Sequence, residues 1–265
     1  MSGLGGFEVR RGATRGAMRT DWLDARFSFS FATHVDPGRP RFGPLLALNE
    51  DVVQPGTGFP MHPHHDLEIV MLPRTGAVEH HDSEGRRMWV RPGELQWMRA
   101  GRGIRHRQWN PSAHESDHHF QLWFEPAAPG LEPRVERLTY APPESGTWRT
   151  LVSPDSADAV DGALDIGVAV RLALGRADPG LALALPAREG GLYLHLMTGA
   201  LEVHDPQRRL ATLEAGDAIV FFAGVPALQL RAGVGAELLR FDTAAVDRHS
   251  GHALQAPARA SLSFR

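Results

Sequence analysis

Gly58-Phe59-Pro60-Met61-His62-Pro63-His64, read together with Gly101-Arg102-Gly103-Ile104-Arg105-His106-Arg107-Gln108 further along, decides the fold. Both segments read as β-strands, and side chains two residues apart on a strand leave by the same face. His62 and His64 therefore aim into one cavity, and His106 with Gln108 form a second such pair. Three imidazoles converging there would hold a divalent transition metal such as iron, nickel, copper, manganese or zinc. Gln108 is the anomaly, a neutral amide where a carboxylate would be expected.

Working outward, short apolar or alternating runs recur at Phe27–Thr33, Leu45–Asn49, Leu67–Leu72, Gly76–His81, Arg87–Val90, Leu95–Met98 and Phe120–Phe124. Turn residues such as Asp36-Pro37-Gly38, Ser83-Glu84-Gly85 and Arg91-Pro92-Gly93 separate them. Strands at regular spacing with Gly/Pro punctuation predict an all-β barrel or sandwich rather than alternating strands and helices. The second half repeats the pattern without its chemistry. Gly191–Val203 reads as two strands around a tight turn, and Glu214–Phe222 parallels Arg91–Met98. Ala236–Phe241 parallels the strand ending in Trp123-Phe124, yet no His-x-His appears in this half.

Composition removes competitors. Its 265 residues allow one or two domains. A formal charge of -3 and a pI near 6.5 give no electrostatic footprint for direct nucleic-acid binding. No apolar run reaches the length of a membrane span, and the first residues lack a signal-peptide core, so a soluble cytoplasmic protein is the expectation. There are no cysteines, and all 28 basic residues are arginine. Thiolate metal sites, cysteine nucleophiles and Schiff-base lysines are excluded, which leaves histidine and carboxylate as the main reactive groups.

The glycine-framed histidine pairs resemble the two metal-bearing motifs of the cupin superfamily. Within it, Trp22-Leu23-Asp24 with Phe27–Ala32, Gly58–His64, Val78-Glu79-His80-His81-Asp82-Ser83 and Gly93–His106 resemble the pirin family, closest over about 15–140 and more faintly to about 242. The resemblance implies an all-β bicupin, two antiparallel jelly-roll barrels packed together. The expected organisation is a metal-bearing cupin domain over 1–140, a linker over 141–150, a metal-free cupin domain over 151–245 and a polar tail over 246–265.

In pirins the positions matching His62, His64 and His106, with a glutamate two residues after the third histidine, hold iron(II) or another divalent ion. The resemblance implies quercetin 2,3-dioxygenase activity, with a flavonol and dioxygen as substrates. In this chain Gln108 takes the glutamate's place, making a weak or lost ligand. The site becomes one charge unit more positive, which should loosen the metal and lower the pKa of water bound to it. Glu68 shares even parity with His62 and His64 and stands near where many cupins carry a glutamate ligand; it is expected as an inward carboxylate that orients an imidazole, with ligation as the alternative, and as the substitute catalytic base. The alternative from the same resemblance is a weakly active or non-enzymatic protein, with a regulatory protein as partner and the metal as structural or redox switch.

Other histidines read differently. His65 alternates to the opposite face. His118 and His119 point to opposite faces of one strand, so with His114 they make no metal site, though one could reach substrate. His80 and His81 are expected at a strand surface. Phe59, Trp97, Trp109, Phe120 and Trp123 could wall an aromatic pocket or simply fill a barrel.

Overall fold

A computed structural model describes residues 6–159 and 162–253 of the chain. Strands dominate. Among the described residues, helix is confined to a 3-10 turn at Gly12–Thr14 and one short α-helix, Ser156–Ala159. Among the described residues no helix is long and apolar enough to cross a membrane. The chain divides into two compact units, Arg15–Ala141 with Ile166–Val168, and Met1–Thr14 with Pro142–Asp165 and Ala169–Arg265.

The first unit is a two-sheet jelly roll. Its 7-stranded sheet runs Arg134–Thr139, Glu94–Arg99, Glu68–Thr75, Asp117–Phe124, Leu45–Val53, Leu23–Phe27, Gly16–Arg19. The facing 4-stranded sheet runs Gly58–His64, Ile104–Trp109, Val78–Asp82, Arg87–Val90. Alternation supplies the core between them. Met71 of the larger sheet packs with Val78 and Val90 of the smaller, and Ile69 and Met98 pack with Ile104. The second unit repeats the plan with sheets of 6 and 4 strands around Leu192, Leu194, Leu196, Ile219, Phe221 and Leu238. The expected tight turn falls at Gly199, whose φ of 83° suits glycine, and a Cβ there would sit 1.8 Å from the Gly235 carbonyl oxygen.

Three differences from the sequence reading have physical causes. The Phe7–Arg10 strand, expected with the N-terminal barrel, pairs with Ala218–Phe221 and extends the 6-stranded sheet of the second unit. The run Phe27–Thr33 is not a strand; the strand is Leu23–Phe27. The Ser30 hydroxyl accepts from Asp36 N and donates to Asp36 O, both at 2.9 Å, so a side chain closes the loop where a ladder would otherwise continue. The expected linker is shorter than 141–150, because a strand begins at Thr147. Of the expected polar tail, residues 254–265 lie outside the described residues, and Val246 bridges to Ala253 before them.

Candidate metal centre

Gly58–His64 and Ile104–Trp109 are antiparallel neighbours, with His62 directly opposite His106 and His64 opposite Ile104. The register slips between His106 and Gln108, because Pro60 and Met61 together face Arg107. That bulge lets Phe59 share the face of His62 and His64 despite its odd parity. Its ring centroid lies 6.4 Å from that of His62.

The three imidazoles converge as expected. Ring centroids are 4.8 Å apart for His62–His64, 4.5 Å for His62–His106 and 4.9 Å for His64–His106. One nitrogen from each lies within 4.8 Å of the other two, and no carboxylate joins the group among the described residues. His62 Nδ1 lies 2.6 Å from the Pro60 carbonyl, which can only accept, so Nδ1 carries the hydrogen and Nε2 is left as a ligand. His106 is fully buried, and its Nε2 has no hydrogen-bond partner. A buried polar atom without a partner is costly, and a cation beside it would remove that cost. Burial, with the neighbouring imidazoles adding to it, pushes His64 down to about 4 and His106 down to about 2. Both are therefore neutral near pH 7, the form that ligates metal. The donor set fits a divalent transition ion.

Gln108 lies buried on the same strand face as His106, but its amide is engaged elsewhere. Nε2 lies 3.2 Å from Met71 Sδ, and Oε1 accepts from Gln121 Nε2 at 2.8 Å. Gln121 Oε1 in turn accepts from Trp123 Nε1 at 2.8 Å. The Trp123 ring stands edge-on to His64 with centroids 5.0 Å apart. Trp123 and Phe59 thus border the histidines. Trp97 does not, since it donates to Glu68. Phe120 is buried beside His118, and Trp109 lies under Arg107.

Glu68 is not brought to the histidines. Oε2 accepts from Trp97 Nε1 at 2.7 Å, and Oε1 pairs with Arg99 Nε at 2.8 Å. Ile69 and Met71 face the cavity, so alternation turns Glu68 to the opposite side of the 7-stranded sheet. Burial raises its pKa, against the lowering by Arg99 and Trp97.

The residue beside an imidazole is instead His80, which the sequence reading put at a strand surface. It is 0% exposed, and its Nδ1 lies 3.4 Å from His106 Nδ1. Its Nε2 is 3.0 Å from Asp82 Oδ2. The signal available in sequence was His80-x-Asp82, a same-face pair in the strand next to the ligand strand.

The remaining histidines stand apart. His65 is 82% exposed and His114 is also exposed. His118 pairs with Glu50 at 3.1 Å. His119 is buried, 2.7 Å from Asp117 and 3.6 Å from Asp51, and joins no ligand group. In the second unit His195 is buried and His204 is held 2.9 Å from Glu202, with no three-ligand group among the described residues.

The chain is similar to known proteins in both of its halves. A profile described as Pirin matches residues 7–124, and one described as the quercetinase C-terminal cupin domain matches residues 150–243. A quercetin 2,3-dioxygenase of Escherichia coli (strain K12) is 40% identical over 150 residues, 57% of this chain and 64% of that protein. A pirin-like protein of Caulobacter vibrioides is 40% identical over 139 residues, 52% of this chain and 60% of its own. The crystal structure of the bacterial pirin YhhW from Escherichia coli in complex with nickel(II) superposes with a TM-score of 0.81 at 31% identity. It covers 91% of this chain and 100% of the other.

Proposed function

Because the chain belongs to the pirin family of bicupins, we propose that it is a metal-binding protein of the quercetin 2,3-dioxygenase type, with one divalent ion held by His62, His64 and His106. The observation that carries this is the unpartnered, buried His106 Nε2 facing two further imidazoles. Iron(II), the expected ion, or nickel, zinc, manganese or copper would supply Lewis acidity and, for the redox-active ions, electron transfer to dioxygen. The chain's own groups do the rest. The Pro60 carbonyl fixes the His62 tautomer, and the Phe59 and Trp123 rings beside His62 and His64 offer apolar surface to a flat aromatic substrate such as a flavonol.

Among the described residues no carboxylate joins the three histidines. Gln108 is neutral and engaged with Gln121 and Met71, and Glu68 is neutralised by Arg99 on the far side of its strand. Neither side chain can take a proton from a flavonol hydroxyl, so a divalent ion held by the three histidines would have to supply that acidity as a Lewis acid, and turnover should be slow. The same lack of a carboxylate supports a second reading, a metal-loaded protein that acts through a regulatory partner and not by catalysis. Oxygen uptake in the presence of quercetin, measured on protein loaded with iron(II) or nickel(II) and on chelator-treated protein, decides between them. Metal-dependent uptake supports the enzyme. Stoichiometric metal without uptake supports the partner role, and a chain that takes up no metal refutes both.

A further inference from the structure

Two buried residues outside the three-histidine group, His80 and Asp82, lie in a chain of contacts that ends at His106. Asp82 is locked in place. Its Oδ1 accepts from Glu84 N at 2.9 Å and Arg86 N at 3.0 Å, while Oδ2 lies 3.0 Å from His80 Nε2. Both Asp82 and His80 have side chains 0% exposed. A carboxylate only accepts, so His80 Nε2 carries the hydrogen and neutral His80 presents a lone pair at Nδ1. That lone pair faces His106 Nδ1 at 3.4 Å. The contact then requires the hydrogen of His106 to sit on Nδ1, which leaves its Nε2 bare, buried and without a protein partner.

From this geometry we infer that Asp82 and His80 form a positioning relay that sets the His106 tautomer and aims its Nε2 at the metal. The inference rests on the three-histidine reading of the site. It adds a device placed on the Val78–Asp82 strand, which runs beside the ligand strand with Asp82 opposite His106 and His80 opposite Gln108. A hydrogen bond to the far nitrogen of a ligating imidazole fixes both ring orientation and basicity, and removing one commonly costs about 10- to 100-fold in metal affinity.

The backbone contacts of Asp82 make a specific test possible. In Asp82→Asn the Oδ1 atom would go on accepting from Glu84 N and Arg86 N, so the new amide must turn its NH2 toward His80 Nε2. His80 would then carry its hydrogen on Nδ1 and donate to His106 Nδ1, forcing the His106 hydrogen onto Nε2, where metal should bind. The variant keeps the shape and inverts the chain of donors. Two further variants separate hydrogen bonding from folding. His80→Asn places an amide oxygen where Nδ1 stood and can still accept from His106, whereas His80→Leu, of similar size, cannot.

The full chain and its variants are to be compared by nickel(II) titration in competition with a chelator, and by the 15N chemical shifts of the imidazoles in metal-free protein. Expected are a His106 hydrogen on Nδ1 in the wild type, its transfer to Nε2 in Asp82→Asn, and affinity about 10- to 100-fold lower in Asp82→Asn and His80→Leu. His80→Asn should stay within a few-fold of wild type. Unchanged tautomers in Asp82→Asn, or equal affinities for His80→Asn and His80→Leu, would overturn the relay. A wild type that binds no nickel(II) would instead count against the three-histidine reading, and the nitrogen shifts would still decide the relay.

Discussion

Gln108 differs from a glutamate by one atom, and that atom decides the charge beside the three histidines. The residue is 4% exposed, and its two polar ends are matched to a glutamine and a thioether. A glutamate at this position would keep one oxygen accepting from Gln121 Nε2. Its other oxygen would face Met71 Sδ, which has no hydrogen to give. In metal-free protein Gln108→Glu therefore buries a half-satisfied anion, at a cost on the order of 1–3 kcal/mol. A divalent ion on the adjacent histidines reverses the sign, since the new charge lies close to it in a partly dry cavity. We expect the variant to melt below the wild type without metal and to gain more from saturating nickel(II). Each tenfold gain in affinity adds about 1.4 kcal/mol to the stabilisation. Equal metal-induced shifts in melting temperature for the two proteins would show that position 108 does not sense the ion.

At the scale of strands, the site depends on how closely Gly58–His64 can approach Ile104–Trp109. A Cβ on Gly58 would lie 2.3 Å from the Gln108 carbonyl oxygen and 2.7 Å from Trp109 Cα, and neither backbone atom can swing away. Gly58→Ala should push the pair apart at the bulge, cost about 1–3 kcal/mol and weaken nickel(II) retention through His62 and His106, which are cross-strand partners. Gly56→Ala is the control. It carries a φ penalty of its own at +66° but meets nothing within 4 Å, so it should lose some stability and keep its affinity. Equal nickel(II) binding by the two variants would contradict this account. The same strands show what sequence could and could not reveal. Two-residue spacing within one strand was enough to converge His62 with His64, whereas His106 lies on another strand and its place beside them came from the resemblance of the two motifs. Parity did not carry from His64 to Glu68, because the chain turns at Asp66 with φ of 49° and even-odd counting restarts beyond a turn. The burial of His80 is hidden from sequence for a related reason. Alternation gives two faces, and only the sheet that covers one of them decides which is buried.

Over the whole molecule, the long-range closure is the feature that local pattern could not supply. Phe7-Glu8-Val9-Arg10 is too short to announce a partner, and its partner, Ala218–Phe221, lies near the other end of the chain. Several contacts hold it there. The Phe7 ring lies 5.7 Å from that of Phe221, and Val9 packs on the second unit's core. Arg11 Nη1 and Gly12 N donate to the two oxygens of Asp217, each at 2.7 Å. All four residues of Ala218–Phe221 are buried, so removing the N-terminal strand would bare an apolar sheet edge, the kind that recruits other chains. Lost burial of Phe7 and Val9 alone should cost about 2–4 kcal/mol. The metal ligands belong to the other unit, which begins at Arg15. Deleting residues 1–14 should therefore lower the unfolding temperature and raise aggregation, while protein that stays in solution keeps one nickel(II) per chain. Calorimetry with metal analysis of the monomeric fraction checks both halves. Loss of nickel(II) from folded monomer would mean that the N-terminal strand supports the site itself, and an unchanged melting temperature would mean that its pairing adds nothing to the second barrel.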